Sequence, residues 1–207
     1  MSTLKATNLV HPSSSSNNIV LDNSGNVEAR KVNGCQRIVL EQFYTPCDGS
    51  TIATANGNIT VGDVTAEQDT SETYADFTGS SISYNPPTGT TQVIYEFDYH
   101  YSGVAASPLM HTKLFLAGAE VTSARSSHYH DNTRDAGRLH FKWGFNIGGT
   151  ADAAHGRVET WSAAKIIKLQ VRSYANSLNA RLNKTYYWEG GTTAQLSVPC
   201  VGITAIG

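Results

Sequence analysis

A chain of 207 residues, 40% of them hydrophobic, can bury one large core or two small ones, which excludes disorder throughout. Its 15 basic and 17 acidic residues give a formal net charge of −2, so the composition carries no cationic footprint for DNA or RNA. Only 15% of residues are charged, against about 25% in typical globular chains, and Ser, Thr, Asn and Gly take their place.

Cys35, Cys47 and Cys200 are odd in number and far apart. They predict reduced thiols rather than a disulfide framework or a zinc knuckle. The opening MSTLKATNLV lacks the apolar stretch of a secretory signal. No apolar run approaches the roughly 18–20 residues that cross a bilayer. The expectation is a soluble protein, or part of a soluble assembly, with no membrane insertion. Asn58-Ile59-Thr60 and Asn183-Lys184-Thr185 fit the glycosylation triplet and, without a secretion signal, are read as chance.

Residues 1–33 differ in character from the rest. HPSSSSNN (residues 11–18) is a serine-rich run, Ile19-Val20-Leu21 can form a short strand, and residues 22–26 (DNSGN) signal a turn. This segment is too poor in apolar residues to form a core alone. It is either disordered or an arm that becomes ordered against another protein.

Residues 37–44 (RIVLEQFY) predict a first strand, apolar on both faces as a central strand would be. A weaker strand follows at 58–64. Residues 65–75 read as a loop or a short helical turn, and residues 77–84 return to strand. Pro86 and Pro87 then remove two backbone donors, and Gly89 permits a turn. Beyond it Val93, Tyr95, Phe97, Tyr99 and Tyr101 share one face of a long strand, and Glu96, Asp98 and His100 the other.

Residues 111–117 and 120–124 predict two strands joined through Gly118. Residues 126–138 (SSHYHDNTRDAGR) read as an exposed loop. Leu139, Phe141, Trp143, Phe145 and Ile147 then alternate with polar residues. Strands are further expected at 157–161, 165–174, 180–188 and 194–206. Eight to ten strands punctuated by Gly, Pro and Asn predict an all-β jelly-roll β-sandwich over residues 34–207, preceded by an extended N-terminal arm over 1–33.

Two stretches carry a resemblance. Residues 18–27 (NIVLDNSGNV), within an opening that runs from residue 2, look like a recurrent element of tail-fibre-like and other virion structural proteins of tailed phages. Residues 82–97 (ISYNPPTGTTQVIYEF) resemble the start of the jelly-roll domain that such proteins carry. The resemblance implies a homotrimeric head of the tumour-necrosis-factor type, an arm held by tail, collar or capsid proteins, and head contact with a host receptor. It also implies a virion location after synthesis in the host cytoplasm. Capsid decoration is the alternative role, since arm meets head within about ten residues and no repeat shaft separates them. Ten Tyr, six Phe and three Trp fit subunit contacts, where aromatic residues are enriched.

Site candidates are few. His128 and His130 would point to one side of a strand, and three copies on a threefold axis could hold a transition metal. The polar surroundings of Asp131, Arg134 and Asp135 favour an exposed loop instead, with Tyr129, Arg134 and Asp135 as an outer contact surface, and no metal is assigned. Glu41, Glu96 and Asp98 could be offered as glycosidase carboxylates, but outward alternation is also what solvated strand faces show. No nucleophile elbow or metalloprotease motif is present. Catalytic residues and cofactors are therefore assigned as none. Tyr186-Tyr187-Trp188 cannot all face a core, and Trp188 is the aromatic that a competing class, a carbohydrate-binding or glycan-cleaving jelly roll, would use.

Overall fold

A computed structural model of the chain describes residues 8–9, 19–21, 27–29, 37–104, 107–131, 137–186 and 194–207. The chain divides into two units, Met1–Ile38 and Val39–Gly207. In the first, Asn8–Leu9, Ile19–Leu21 and Val27–Ala29 form a three-stranded antiparallel sheet in chain order. Val20, on the middle strand, lies opposite both Asn8 and Glu28. The expected turn at 22–26 lies outside the described residues, and the strands that flank it pair as a hairpin with Leu21 opposite Val27.

The second unit is a jelly-roll β-sandwich. Its principal strands are β1 (Val39–Pro46), β2 (Ile82–Tyr84), β3 (Gln92–Gly103), β4 (Leu109–Leu116), β5 (Ala119–Tyr129), β6 (Gly137–Asn146), β7 (Lys165–Ser173) and β8 (Cys200–Ile206). One sheet runs β1-β8-β3-β6 and the other β2-β7-β4-β5, antiparallel at every pairing. Consecutive strands alternate between the sheets except β4 and β5, which is the jelly-roll path. Those two form a hairpin whose turn residues, Ala117 and Gly118, have φ of 50° and 84°. Two successive positive φ angles give the turn the twist that antiparallel strands need.

β3 is the central strand, paired with β6 on one side and β8 on the other. Its period of two is as predicted: Val93, Tyr95, Phe97, Tyr99 and Tyr101 are buried, and the intervening side chains face outward. The Pro86-Pro87 corner is closed by the Thr90 N–H, which donates to the Pro87 carbonyl at 3.2 Å, with Gly89 at φ 92°. Buried phenols keep partners, as they must. Tyr95 donates to the Ser80 carbonyl at 2.7 Å, Tyr84 to Glu41 at 2.7 Å, and Tyr101 to the Pro108 carbonyl at 2.8 Å. Much of the aromatic content is thus spent inside one sandwich, so composition by itself is no sign of subunit contact.

Several expectations are corrected. β1 is an edge strand, not a central one, and its outward residues Val39 and Tyr44 are exposed. Residues 126–129 are not loop: they extend β5, because their backbone pairs with Leu109–Thr112 across a bulge. Residues 157–161 make isolated bridges only, beside a short 3-10 turn at Ala153–His155. The segment 65–75 holds the short strand Gln68–Asp69 and the start of Ala75–Asp76 rather than a helical turn. The strand expected at 180–188 breaks at Asn183, φ 62°, into Ala180–Leu182 and Lys184–Tyr186. Asn183 is fully buried, so its glycosylation triplet is not accessible. The hairpin Thr51–Thr54 and Gly57–Thr60 adds a strand that alternation alone did not mark. No helix among the described residues is long and apolar enough to cross a membrane.

Candidate interaction face

The outward face of the β1-β8-β3-β6 sheet gathers a connected set of polar side chains. Strand register places them. Asp98 on β3 lies opposite His140 on β6, Glu96 lies opposite Lys142, and Asp98 lies opposite Cys200 on β8. Gly202 on β8 lies between Tyr44 and Glu96. A Cβ at Gly202 would meet the Tyr44 ring at 2.6 Å. Glycine there lets the ring lie across β8, and its hydroxyl reaches Asp98 two strands away.

Asp98 accepts from the Tyr44 hydroxyl and from His140 Nδ1, the latter at 2.5 Å. Glu96 Oε1 accepts from Lys142 Nζ at 2.9 Å and lies 3.5 Å from His140 Nε2. Arg138 donates to Cys200 Sγ at 3.5 Å. At the end of the row, His100 Nδ1 lies 2.5 Å from Ser197 Oγ. Burial, the bond to Asp98 and the charge of that carboxylate push the Tyr44 phenol above its ordinary value. Burial alone would raise the Asp98 carboxyl, but the bonds from Tyr44 and His140 and the nearby cations outweigh it and hold it below its ordinary value.

A carboxyl that titrates lower in the folded protein than in the unfolded chain stabilises the fold above the unfolded value, about 4. That contribution fades as pH falls through the folded value. Asp98→Asn is therefore expected to flatten the loss of thermal stability as pH falls below about 4. Equal slopes in the two proteins, followed by circular dichroism melts across that range, would contradict the assigned role of Asp98.

The residues proposed as glycosidase carboxylates are not brought together. Glu41 points to the other side of the sheet, where it accepts from Tyr84 at 2.7 Å and from the Ala55 N–H at 2.6 Å. Glu96 and Asp98 share the outward face but are engaged by Lys142, His140 and Tyr44. His128 packs its ring against Tyr101, with centroids 6.4 Å apart, and burial lowers its basicity. The His130 N–H donates to the Pro108 carbonyl at 3.1 Å. Among the described residues no group of three or more His, Cys, Asp or Glu is placed to hold a metal. Tyr129 is exposed. Arg134, Asp135, Tyr187, Trp188 and Cys35 lie outside the described residues. Cys47 is a free, buried thiol that burial, and then nearby Cys200 and Asp48, push up to about 12.

Tyr44, Arg138, His140 and Lys142 were missed by sequence reasoning as members of one site. The alternation of β6 did mark His140 and Lys142 as outward; what it could not supply was the register that sets them against Asp98 and Glu96.

No protein-family model matches the chain, and no curated protein matches it. Among solved structures it is similar to one of infectious bursal disease virus, Gx strain, at 8% identity and a TM-score of 0.34, over 81% of this chain and 38% of that one. A second, of the Gt strain, gives 11% identity and a TM-score of 0.25, over 76% of this chain and 50% of that one. The chain thus spans at most half the length of these neighbours, and similarity this slight assigns neither family nor function.

Proposed function

We propose that the protein is a non-enzymatic bacteriophage virion structural protein, a short tail-fibre-like appendage. Residues 1–33 anchor it to the particle, and the head trimerises and makes host or particle contacts. The observation that carries this reading is the two-part organisation: a complete jelly roll, Val39–Gly207, joined directly to a small separate unit. The resemblance of residues 18–27 and 82–97 to phage structural proteins supports it. So does the engagement of Glu96 and Asp98 by neighbouring side chains, which leaves neither as a free acid or base. The exposed Val39 and Tyr44 on edge strand β1 favour a second copy of the chain against the β1-β8-β3-β6 face. Three heads on one particle would then act together through multivalency.

Capsid decoration is the second reading. The short stretch of sequence, about ten residues, between the resemblance at 18–27 and the strand that begins at Val39 favours it, because a long fibre needs a shaft there.

Light scattering on the full chain should give three times the 22.3 kDa chain mass. Removing residues 1–33 should leave that mass unchanged and abolish incorporation into particles. Normal incorporation of the truncated chain would move the anchor into the head and overturn the assignment of the arm.

A further inference from the structure

The opposite sheet, β2-β7-β4-β5, carries a second and different surface at one end. Its outward side chains stand in rows set by register. His111 on β4 lies opposite Ser127 on β5 and opposite Arg172 on β7. In the next row Leu109 lies opposite Tyr129, and on its other side the Tyr174 N–H donates to the Leu109 carbonyl at 2.9 Å. Tyr129 and Tyr174 are each 60% exposed and flank Leu109. Two strand spacings separate them, roughly 10 Å. Two aromatic rings at that separation on a flat sheet form a shelf.

Charge on this face is unevenly matched. Glu120 is shared by Lys113 at 3.0 Å and Arg125 at 2.6 Å. Asp76 takes Lys168 at 2.8 Å. Glu72, nearby in sequence to Tyr74, accepts from the Asn176 N–H. Among the described residues no carboxylate pairs with Arg172, whose guanidinium lies 5.2 Å from the Tyr74 ring centre. Arg172 Nε and His111 Nε2 are both buried without a hydrogen-bond partner. The His111 ring sits beside Tyr174, with centroids 6.0 Å apart. Being buried, these two nitrogens are covered by the protein itself, so only the outer nitrogens of the Arg172 guanidinium are available to a surface ligand.

We propose that this end of the sheet binds a uronate-bearing acidic polysaccharide. Sugar rings lie on Tyr129 and Tyr174, whose electron-rich faces attract the polarised C–H groups of a pyranose. A ring carboxylate beside Tyr174 accepts from the Arg172 guanidinium, with which no carboxylate pairs among the described residues. Nucleic acid also stacks on aromatic rings, but it needs a groove of cations that follows the backbone. One guanidinium without a carboxylate on this face, among the described residues of a chain of net charge −2, does not supply one. The proposal rests on the host-contact reading for its biological setting and names the class of that partner.

Affinity electrophoresis of the full chain tests it, with alginate, polygalacturonate or hyaluronate in the gel, and dextran and single-stranded DNA as comparisons. The expected result is retardation by at least one polyuronate and none by dextran. Arg172→Gln should weaken binding about tenfold or more, as loss of a charge-assisted contact does. Tyr174→Ala, at an exposed position, should weaken it as well. Arg157→Gln removes the same charge elsewhere and should leave binding unchanged. No retardation by any polyuronate, equal retardation of the Arg172→Gln protein, or tighter binding of DNA would each overturn the proposal. Failure here would leave the virion reading standing, because particle location is measured separately.

Discussion

Replacing Phe77 with alanine is expected to lower the unfolding free energy of the Val39–Gly207 unit by about 3–5 kcal/mol. Phe77 is 1% exposed and sits just after the short strand Ala75–Asp76, where the chain runs along β7. Its ring meets Phe97 edge-on at 5.0 Å and Tyr99 at 4.6 Å, both from the central strand β3. Its N–H donates to the Leu169 carbonyl of β7 at 2.9 Å. One residue therefore ties the two sheets together. Truncating it leaves a cavity that rigid strands on both sides cannot close. Since domains of this size are stable by about 5–15 kcal/mol, the loss is a large share of the total. Urea unfolding should show a lower midpoint with an unchanged slope. A loss below about 1 kcal/mol would mean that the sheets do not meet through this ring.

The second large effect is expected two residues on. The Ser80 N–H donates to the Phe77 carbonyl at 3.0 Å and closes a turn with Gly79 at its third position, φ 90°. That position of such a turn calls for glycine. Space excludes a side chain as well: a Cβ at Gly79 would lie 2.7 Å from Val64 Cγ2 and 3.3 Å from the Cys47 Cβ. The turn also fixes Ser80, whose hydroxyl accepts from the Leu169 N–H at 3.0 Å and whose carbonyl receives the Tyr95 phenol. Gly79→Ala is expected to cost about 2–5 kcal/mol, from left-handed backbone strain together with overpacking. Denaturant midpoints check it. An unchanged midpoint would show that the turn and the Val64 side chain relax freely.

How far the fold was legible varies along the chain. The period of two at residues 93–101 and 139–147 marked β3 and β6 and their core faces, because one buried face dictates alternation. β1 misled, since Val39 and Tyr44 are apolar yet exposed on an edge strand. Apolar residues on both faces of a strand thus do not separate a central position from an edge covered by a partner or by a ring lying across its neighbour. Residues 126–129 misled in the other direction: Ser-Ser-His-Tyr lacks apolar period, and backbone pairing with β4, together with the His128 ring on Tyr101, holds it in strand form. The outward face was the least legible. Glu96 and Asp98 were visible as outward carboxylates, but Tyr44, Arg138, His140 and Lys142 join them through register between strands distant in sequence. Likewise Glu41 reads like Glu96 and Asp98, yet it faces the other side of the sheet, and spacing alone carries no sign of that.

The most direct test of the virion reading is to locate the protein on intact phage particles, by imaging particles labelled with an antibody raised against the head unit. Label is expected on the particle, concentrated at the tail or its collar. Label spread evenly over the capsid shell would replace the tail-fibre role by decoration. Particles that carry no label would contradict the virion assignment itself.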